Sequence, residues 1–362
     1  MKAGRTLQEL AQELERQAET RKDYVATQGA VHVEVLDGEL VLQGVNGGPK
    51  DILPHAHGQL ADHLAIPAKY YQRMMAEQPK LLADNVNTWL HQDGGNQRMI
   101  RTLDGKVRAF LSPKYRPLDN FELANAVLPT LIEHGVQIAS AELTETRMYI
   151  KGILPELSEE LPEGMTWGQG HHMVGRDGRL VAALVISNSE VGDGSLRVEP
   201  SVFTTWCTNL AVMKQAALKK YHVGRASLSD VSQEVFRDET RKAADAAFFL
   251  QVQDVVGAAF SRDMFLAGIA QIREAAKDPI RSGNLQKVVE LTVKEFTLPA
   301  STQNGILHAL AAGGDLTRWG LSSAITQVAN TFQTYEGATA LERAGGEVLA
   351  LTGAAWEQIS AA

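Results

Sequence analysis

Three of the five Asp-Gly dipeptides, at 37–38, 104–105 and 177–178, each lie between runs in which apolar and polar residues alternate. A two-residue hairpin turn needs positive φ at both central positions, which Asp-Gly tolerates, and alternation points every second side chain toward a core. Each dipeptide is therefore expected to close an antiparallel hairpin. The first joins Val31, Val33 and Val35 to residues 40–45. The second spans 99–111, with Ile100, Val107 and Phe110 facing the core, and the third spans 173–185.

Helical spacing fills the intervals. Leu7, Leu10, Ala11, Leu14 and Ala18 make one apolar face over 7–21. Residues 56–77 read as two helical pieces divided at Ile66-Pro67, with the proline as the first helical residue of the second. Asp119 or Asn120 caps a helix over 121–134 that Gly135 ends, and strands follow at 136–143 and 147–154. Past Thr208 the pattern becomes alanine-rich and helical, over 235–260, 264–276 and 285–296. It is broken at Lys277-Asp278-Pro279, Leu298-Pro299 and Ala312-Gly313-Gly314. The expected fold class is α+β: an antiparallel β-sheet of hairpins packed with helices, followed by a mostly helical C-terminal region. Its expected divisions are an N-terminal helix at 1–23, an α+β core at 24–230 and a helical region at 231–362. There is no internal repeat.

Composition closes off several function classes. A hydrophobic share of 44% with 22% charged residues is that of an ordinary globular chain and not of a disordered one. The single cysteine, Cys207, allows neither an intramolecular disulfide nor a multi-cysteine metal site, which fits a reducing compartment. Residues 1–22 lack the apolar run of a secretory signal, and nothing approaches the roughly 20 apolar residues of a membrane span. A cytoplasmic protein that avoids membranes is expected.

The net charge of −8 weighs against nucleic-acid binding, but sign is segregated along the chain. Over 98–116 there are six cations, Arg98, Arg101, Lys106, Arg108, Lys114 and Arg116, against Asp104 alone. Over 207–226, Lys214, Lys219, Lys220 and Arg225 meet no acid. Over 154–164, in an expected loop, Glu156, Glu159, Glu160 and Glu163 meet no base.

Four constellations could carry chemistry. The turn at 187–195, Ser-Asn-Ser-Glu-Val-Gly-Asp-Gly-Ser, could offer backbone amides to a phosphate, although it lacks the lysine of a P-loop and the spacing of a dinucleotide site. The commoner reading is a strand connection held by side-chain hydrogen bonds. Cys207 and His222 have the residue types of a nucleophile and its base, yet a lone cysteine is more often a small core residue. Tyr115, among Lys114 and Arg116, could stack on an unpaired base or simply pack at a strand end. His55, His57, His63 and the pair His171-His172 lack the carboxylate spacing of a zinc motif, so no metal or other cofactor is expected.

The strings Ile100-Arg101-Thr102-Leu103-Asp104-Gly105, Leu111-Ser112-Pro113-Lys114-Tyr115, Leu118-Asp119-Asn120, the turn at 187–192 and Cys207-Thr208-Asn209 resemble the phage/plasmid-like protein family, a domain of unknown function. The likeness covers about residues 30–345. Leu210 departs from it, standing where that family often has the glycine of a tight turn. The order of hairpin, helix, strands and glycine turn is also similar to the Rad fifty-two-like single-strand annealing proteins. That second resemblance implies a homo-oligomeric ring or filament holding DNA in a basic groove.

The expectation is a non-catalytic protein of a phage, plasmid or other mobile element that binds and anneals single-stranded DNA in homologous recombination. Lys106, Arg108, Lys114, Arg116, Lys214, Lys219, Lys220 and Arg225 would contact phosphates, and Tyr115 would stack. The alternative is a homo-oligomeric structural or interaction protein of such an element that binds no DNA. A nucleotide-binding enzyme using the 187–195 turn stands third.

Overall fold

The computed structural model describes residues 1–92, 94–115, 118–160, 178–205, 208–213 and 238–362, the side chains of 238–242, 244 and 245 excepted. Helix α1 (Leu7–Thr20) opens with a reciprocal cap: Thr6 Oγ1 accepts from the Glu9 amide, and the Glu9 carboxylate accepts from the Thr6 amide. Leu10 and Leu14, one turn apart, bury its apolar face. Strand β1 (Lys22–Thr27) leads to the hairpin β2 (His32–Leu36) and β3 (Glu39–Gln43), to which β4 (Lys50–Asp51) adds a short third strand.

Three helices follow, α2 (Pro54–His63), α3 (Ala68–Glu77) and α4 (Pro79–Gln92). Pro67 occupies the N-cap of α3, one position before the expected place. Strands β5 (Gln97–Leu103) and β6 (Lys106–Leu111) form the second hairpin and, with β1 on the outside, a three-stranded antiparallel sheet. One core serves this part of the chain: Leu60, Tyr71, Leu82, Val86 and Leu90 from the helices pack on Val33, Leu42, Ile100 and Phe110 from the strands.

Helix α5 (Asn120–Glu133), stopped by Gly135 at φ 74°, precedes the main sheet. This comprises β7 (Gln137–Leu143), β8 (Met148–Glu160), β9 (Arg179–Asn188), β10 (Arg197–Thr204) and β11 (Leu210–Val212), antiparallel in the order β11-β10-β9-β8-β7. The acidic segment expected as a loop from residue 154 is, up to Glu160, the outer part of β8. Pairing resumes at Ser158 opposite Val181 after a shift in register beyond Leu154. Pro155 has no N–H for the ladder, and an irregularity at that point lets the strand continue past it. The third expected hairpin, over 173–185, is a correction: β9 pairs with β8 on one edge and β10 on the other, Leu180 standing opposite both Glu159 and Thr204, so residues 180–185 have no free edge for a hairpin partner, and Asp177 itself lies outside the described residues.

Helices α6 (Asp238–Ala259) and α7 (Arg262–Ala275) join α1 and α5 on one face of the main sheet, where Leu123, Val127, Val256, Phe265 and Ile269 meet Ile150, Leu184 and Val202. The chain then forms α8 (Leu285–Glu295), α9 (Gln303–Gly313), α10 (Arg318–Thr331), α11 (Tyr335–Leu349) and α12 (Gly353–Ser360), with a core of their own. Helices α10 and α11 lie against β11 and the second face of the sheet. The architecture is α+β, an antiparallel sheet between helical layers with a helical C-terminal region. Among the described residues no single helix is long and apolar enough to cross a membrane.

Candidate nucleic-acid interface

The basic hairpin β5–β6 turns at Asp104 (φ 53°) and Gly105 (φ 78°), which the Asp-Gly dipeptide anticipated. Its cations do not face outward as a set. The ladder pairs Arg101 with Ala109 and Thr102 with Val107, which leaves Arg108 as the extra residue of a bulge. A bulge re-aims a side chain, and here Arg108 is turned inward, 5% exposed, with Nη1 donating to Glu190 Oε1 at 2.6 Å. Arg101 is 2% exposed; its Nε donates to Asp23 Oδ1 at 2.8 Å, Nη2 to Asp119 Oδ1 at 2.7 Å and Nη1 to the Glu190 carbonyl at 2.6 Å. Arg21 completes the group by pairing with Asp119 Oδ2 at 2.6 Å.

This network changes how α5 begins. Asp119 stands at the N-cap but makes no cap hydrogen bond, because both carboxylate oxygens are held by Arg101 and Arg21. Glu190, 70 residues away, serves instead: its Oε2 accepts from the Asn120 amide at 2.8 Å. Asn188 Nδ2 adds bonds to the Leu118 carbonyl at 2.8 Å and to Asn120 Oδ1 at 2.9 Å.

The turn after β9 is consumed in the same way. Ser189 Oγ accepts from the amides of Val191 and Asp193, and the Val191 carbonyl accepts from Gln59 Nε2 at 2.7 Å and meets His55 Nε2 at 3.1 Å. Arg147 and Thr146 hold the Asp193 carboxylate, each at 3.0 Å. Gly192 sits at φ 84°, where a Cβ would come 2.7 Å from Leu111 Cδ2. The turn is a structural joint between the β1-β5-β6 sheet and the main sheet, which favours the hydrogen-bonded connection over the phosphate cradle.

The expected contact residues therefore fall into three groups. Arg108 is a correction: buried against Glu190, it is not presented to a phosphate, because desolvating a guanidinium demands a partner and the bulge supplies one inside the fold. Lys106 is half exposed and lies 3.2 Å from Asp51 Oδ2, so its charge is matched locally. Tyr115 is half-buried, its hydroxyl donating to the Ser189 carbonyl at 3.3 Å and its ring among Leu111 and Val191; burial pushes its phenol above the ordinary value. Lys114 is exposed and has no ion-pair partner among the described residues. Arg116, Lys214, Lys219, Lys220 and Arg225 lie outside the described residues, as do Cys207, His222, His171 and His172.

Of the hairpin arginines, Arg101 and Arg108 are therefore turned into the fold, and Arg116 lies outside the described residues. Sequence reading missed the acceptors Asp23, Asp119 and Glu190. One signal could have pointed to them: Arg101 and Arg108 share a hairpin with apolar core positions on both of its strands, where a charge must find a partner.

Among the described residues no three His, Cys, Asp or Glu side chains gather as for a metal ion. His57 Nδ1 meets Tyr71 Oη at 2.9 Å and His63 Nε2 meets Gln28 Oε1 at 3.1 Å, so these histidines are engaged within the fold. Leu210, where the family resemblance implied a tight turn, begins β11; the positive φ falls at Thr208, 53°. No protein-family model, curated protein or solved structure matches the chain. The likeness drawn above rests on its short strings alone.

Proposed function

We propose that the protein binds single-stranded DNA and promotes annealing in the recombination of a mobile element, without a chemical step, and that the grip is the 214–225 run together with Lys114. The observation that carries this reading is positional. Strand β11 is the edge of the main sheet, and the chain leaves it at Met213 directly into Lys214, the first of four cations with no acid among them. With Arg101 and Arg108 paired inside the fold, this run is where the sequence concentrates positive charge that the hairpin no longer supplies. Annealing needs a held backbone and open Watson-Crick edges, and lysine ammonium groups meet that need as point charges that do not read sequence.

A second reading has an observation of its own. Glu156, in the irregular stretch of β8, and Glu160, at its end opposite Arg179, are both exposed. The basic run of one copy would then pair with this acidic strand end on the next, building a homo-oligomer that needs no DNA. Light scattering after size exclusion, with and without a labelled oligonucleotide, separates the two. Co-elution of label with protein supports the first reading; assembly that excludes the label supports the second and overturns the first.

A further inference from the structure

Register places Tyr149 of β8, Ser187 of β9 and Arg197 of β10 opposite one another, so the three side chains stand in one row on the face of the main sheet that α11 crosses. The Tyr149 ring packs 5.2 Å from the Tyr335 ring, and Ser187 Oγ accepts from Arg343 Nη2 at 3.2 Å, which sets one flank of α11 beside the row. Two turns close its end. Arg147, between β7 and β8, reaches to Asp193 in the turn between β9 and β10, its Nε donating to Oδ2 at 3.0 Å and its Nη2 to the Asp193 carbonyl. Gly194, at φ 118°, leaves room for that guanidinium, since a Cβ there would collide with it.

Three acids near the row are already matched. Arg343 holds Glu199 with Nε at 2.9 Å and Nη2 at 2.6 Å, Arg147 holds Asp193, and Lys151 Nζ donates to Glu342 Oε2 at 2.5 Å. Arg197 is left over, a half-buried guanidinium with no ion pair or hydrogen bond among the described residues. Burial first, and then the Arg343 guanidinium beside it, pull its proton affinity down; Arg147 adds to the effect and Glu199 opposes it. Two further donors at the same place lack an acceptor. Arg147 Nη1 is buried and unbonded, and Tyr149, 2% exposed, has no bond for its hydroxyl among the described residues. Glu336, on the same flank of α11 as Arg343, is near enough to Tyr149 to act on its phenol and has no partner of its own among the described residues.

We propose that the space over Ser187 is an oxyanion subsite that takes a phosphate group, with Arg197, Arg147 and Tyr149 as its donors. A half-buried cation among other cations, and buried donors without acceptors, each cost free energy that an arriving anion relieves. Side chains, and not the amides of the 187–195 turn, make the site. The donors come from β10, from the β7–β8 turn and from β8, on different sides of the space. A tetrahedral phosphate has oxygens enough to accept from all three at once, whereas a planar carboxylate has two. Burial raises the Tyr149 phenol to about 12, so it keeps its proton at neutral pH and donates. Gly194 and Ala340 are exposed on either side of the row, which leaves it open to solvent. The subsite uses no residue of the 214–225 run and does not depend on DNA being held there.

Isothermal titration calorimetry of the full chain with inorganic phosphate at low ionic strength tests this. The parent is expected to bind saturably below about 10 mM phosphate. Arg197→Gln removes a charge without breaking an ion pair inside the fold, and should weaken binding at least about tenfold. Glu336→Gln removes an opposing carboxylate and should strengthen it by about two- to fivefold, a sign that general destabilisation does not produce. Circular dichroism checks that both variants keep the fold. A nucleoside monophosphate and a single strand with a terminal phosphate, each compared with its dephosphorylated form, distinguish a free ligand from a strand end; in either carrier the Arg197-dependent part of binding should require the phosphate. No saturable heat up to about 10 mM phosphate, an Arg197→Gln variant that binds as the parent does, or a Glu336→Gln variant that binds more weakly would overturn the proposal.

Discussion

Arg108 and Glu190, 82 residues apart, meet at 2.6 Å with side chains 6% and 4% exposed, and this pair fastens the basic hairpin to the turn after β9. Removing one partner of such a pair strands a buried charge, which costs about 3–5 kcal/mol, whereas removing both is far less costly. Arg108→Met and Glu190→Leu are each expected to lower the urea unfolding free energy by that amount. The double variant should recover most of it. A deficit of about 1 kcal/mol should remain, because Glu190 also caps α5 through the Asn120 amide. Singles and double that lose equally would show that the pair is not coupled.

The first two hairpins were legible because their signal is local, whereas the third expected hairpin does not form, β9 being paired on both edges by β8 and β10. Asp37 and Gly38, like Asp104 and Gly105, adopt the positive φ values that their side chains tolerate, and Gly135 ends α5 for the same reason. The C-terminal helices and their breaks at Pro279, Pro299 and Gly314 were legible from period and punctuation. The candidate site was not, since charge counted along the chain carries no information about distant partners. Arg101 finds Asp23 and Asp119, and Arg108 finds Glu190, only once β1, α5 and β9 are placed. The extension of β8 through Glu160 was missed because proline and clustered acids read as a loop, while its partner strand supplied the pairing.

His57 gives a pH signature. Burial lowers its imidazole from 6.5 to about 4. The unfolded chain then binds a proton that the folded chain refuses, so the stability contribution is full above about pH 6.5 and is lost as pH falls toward about 4. With partial exposure discounted, the expected loss between pH 7 and pH 5 is about 1–2 kcal/mol in urea unfolding. His57→Gln should remove that part of the pH dependence. An unchanged slope in the variant would place the titration elsewhere.

Two helix glycines should respond oppositely to alanine. At Gly58, in α2, a Cβ meets nothing within 4 Å, so Gly58→Ala should stabilise by about 0.5–1 kcal/mol through helix propensity. At Gly346, in α11, the same change forces a methyl group into the Val212 backbone and should destabilise by about 1–3 kcal/mol despite the propensity gain. Thermal unfolding monitored by circular dichroism reads both signs.

Charge reversal within the hairpin should not resemble charge reversal outside it. Lys114→Glu is expected to leave the unfolding free energy within about 0.5 kcal/mol of the parent, as befits an exposed side chain with no ion-pair partner among the described residues. It should weaken oligonucleotide binding and flatten its salt dependence, with the slope of log affinity against log salt falling by about one contact. Anisotropy titrations with a labelled oligonucleotide at several salt concentrations measure this.

In the proposed function DNA is held by the run that leaves β11. Fluorescence anisotropy with a labelled single strand of mixed sequence, comparing the parent with Lys219→Glu/Lys220→Glu, tests it most directly. Salt-sensitive binding by the parent is expected at about 50 mM salt, weakened roughly a hundredfold or more by the double reversal with the fold intact by circular dichroism. Parent and variant that bind alike, or a parent that does not bind at low salt, would contradict it.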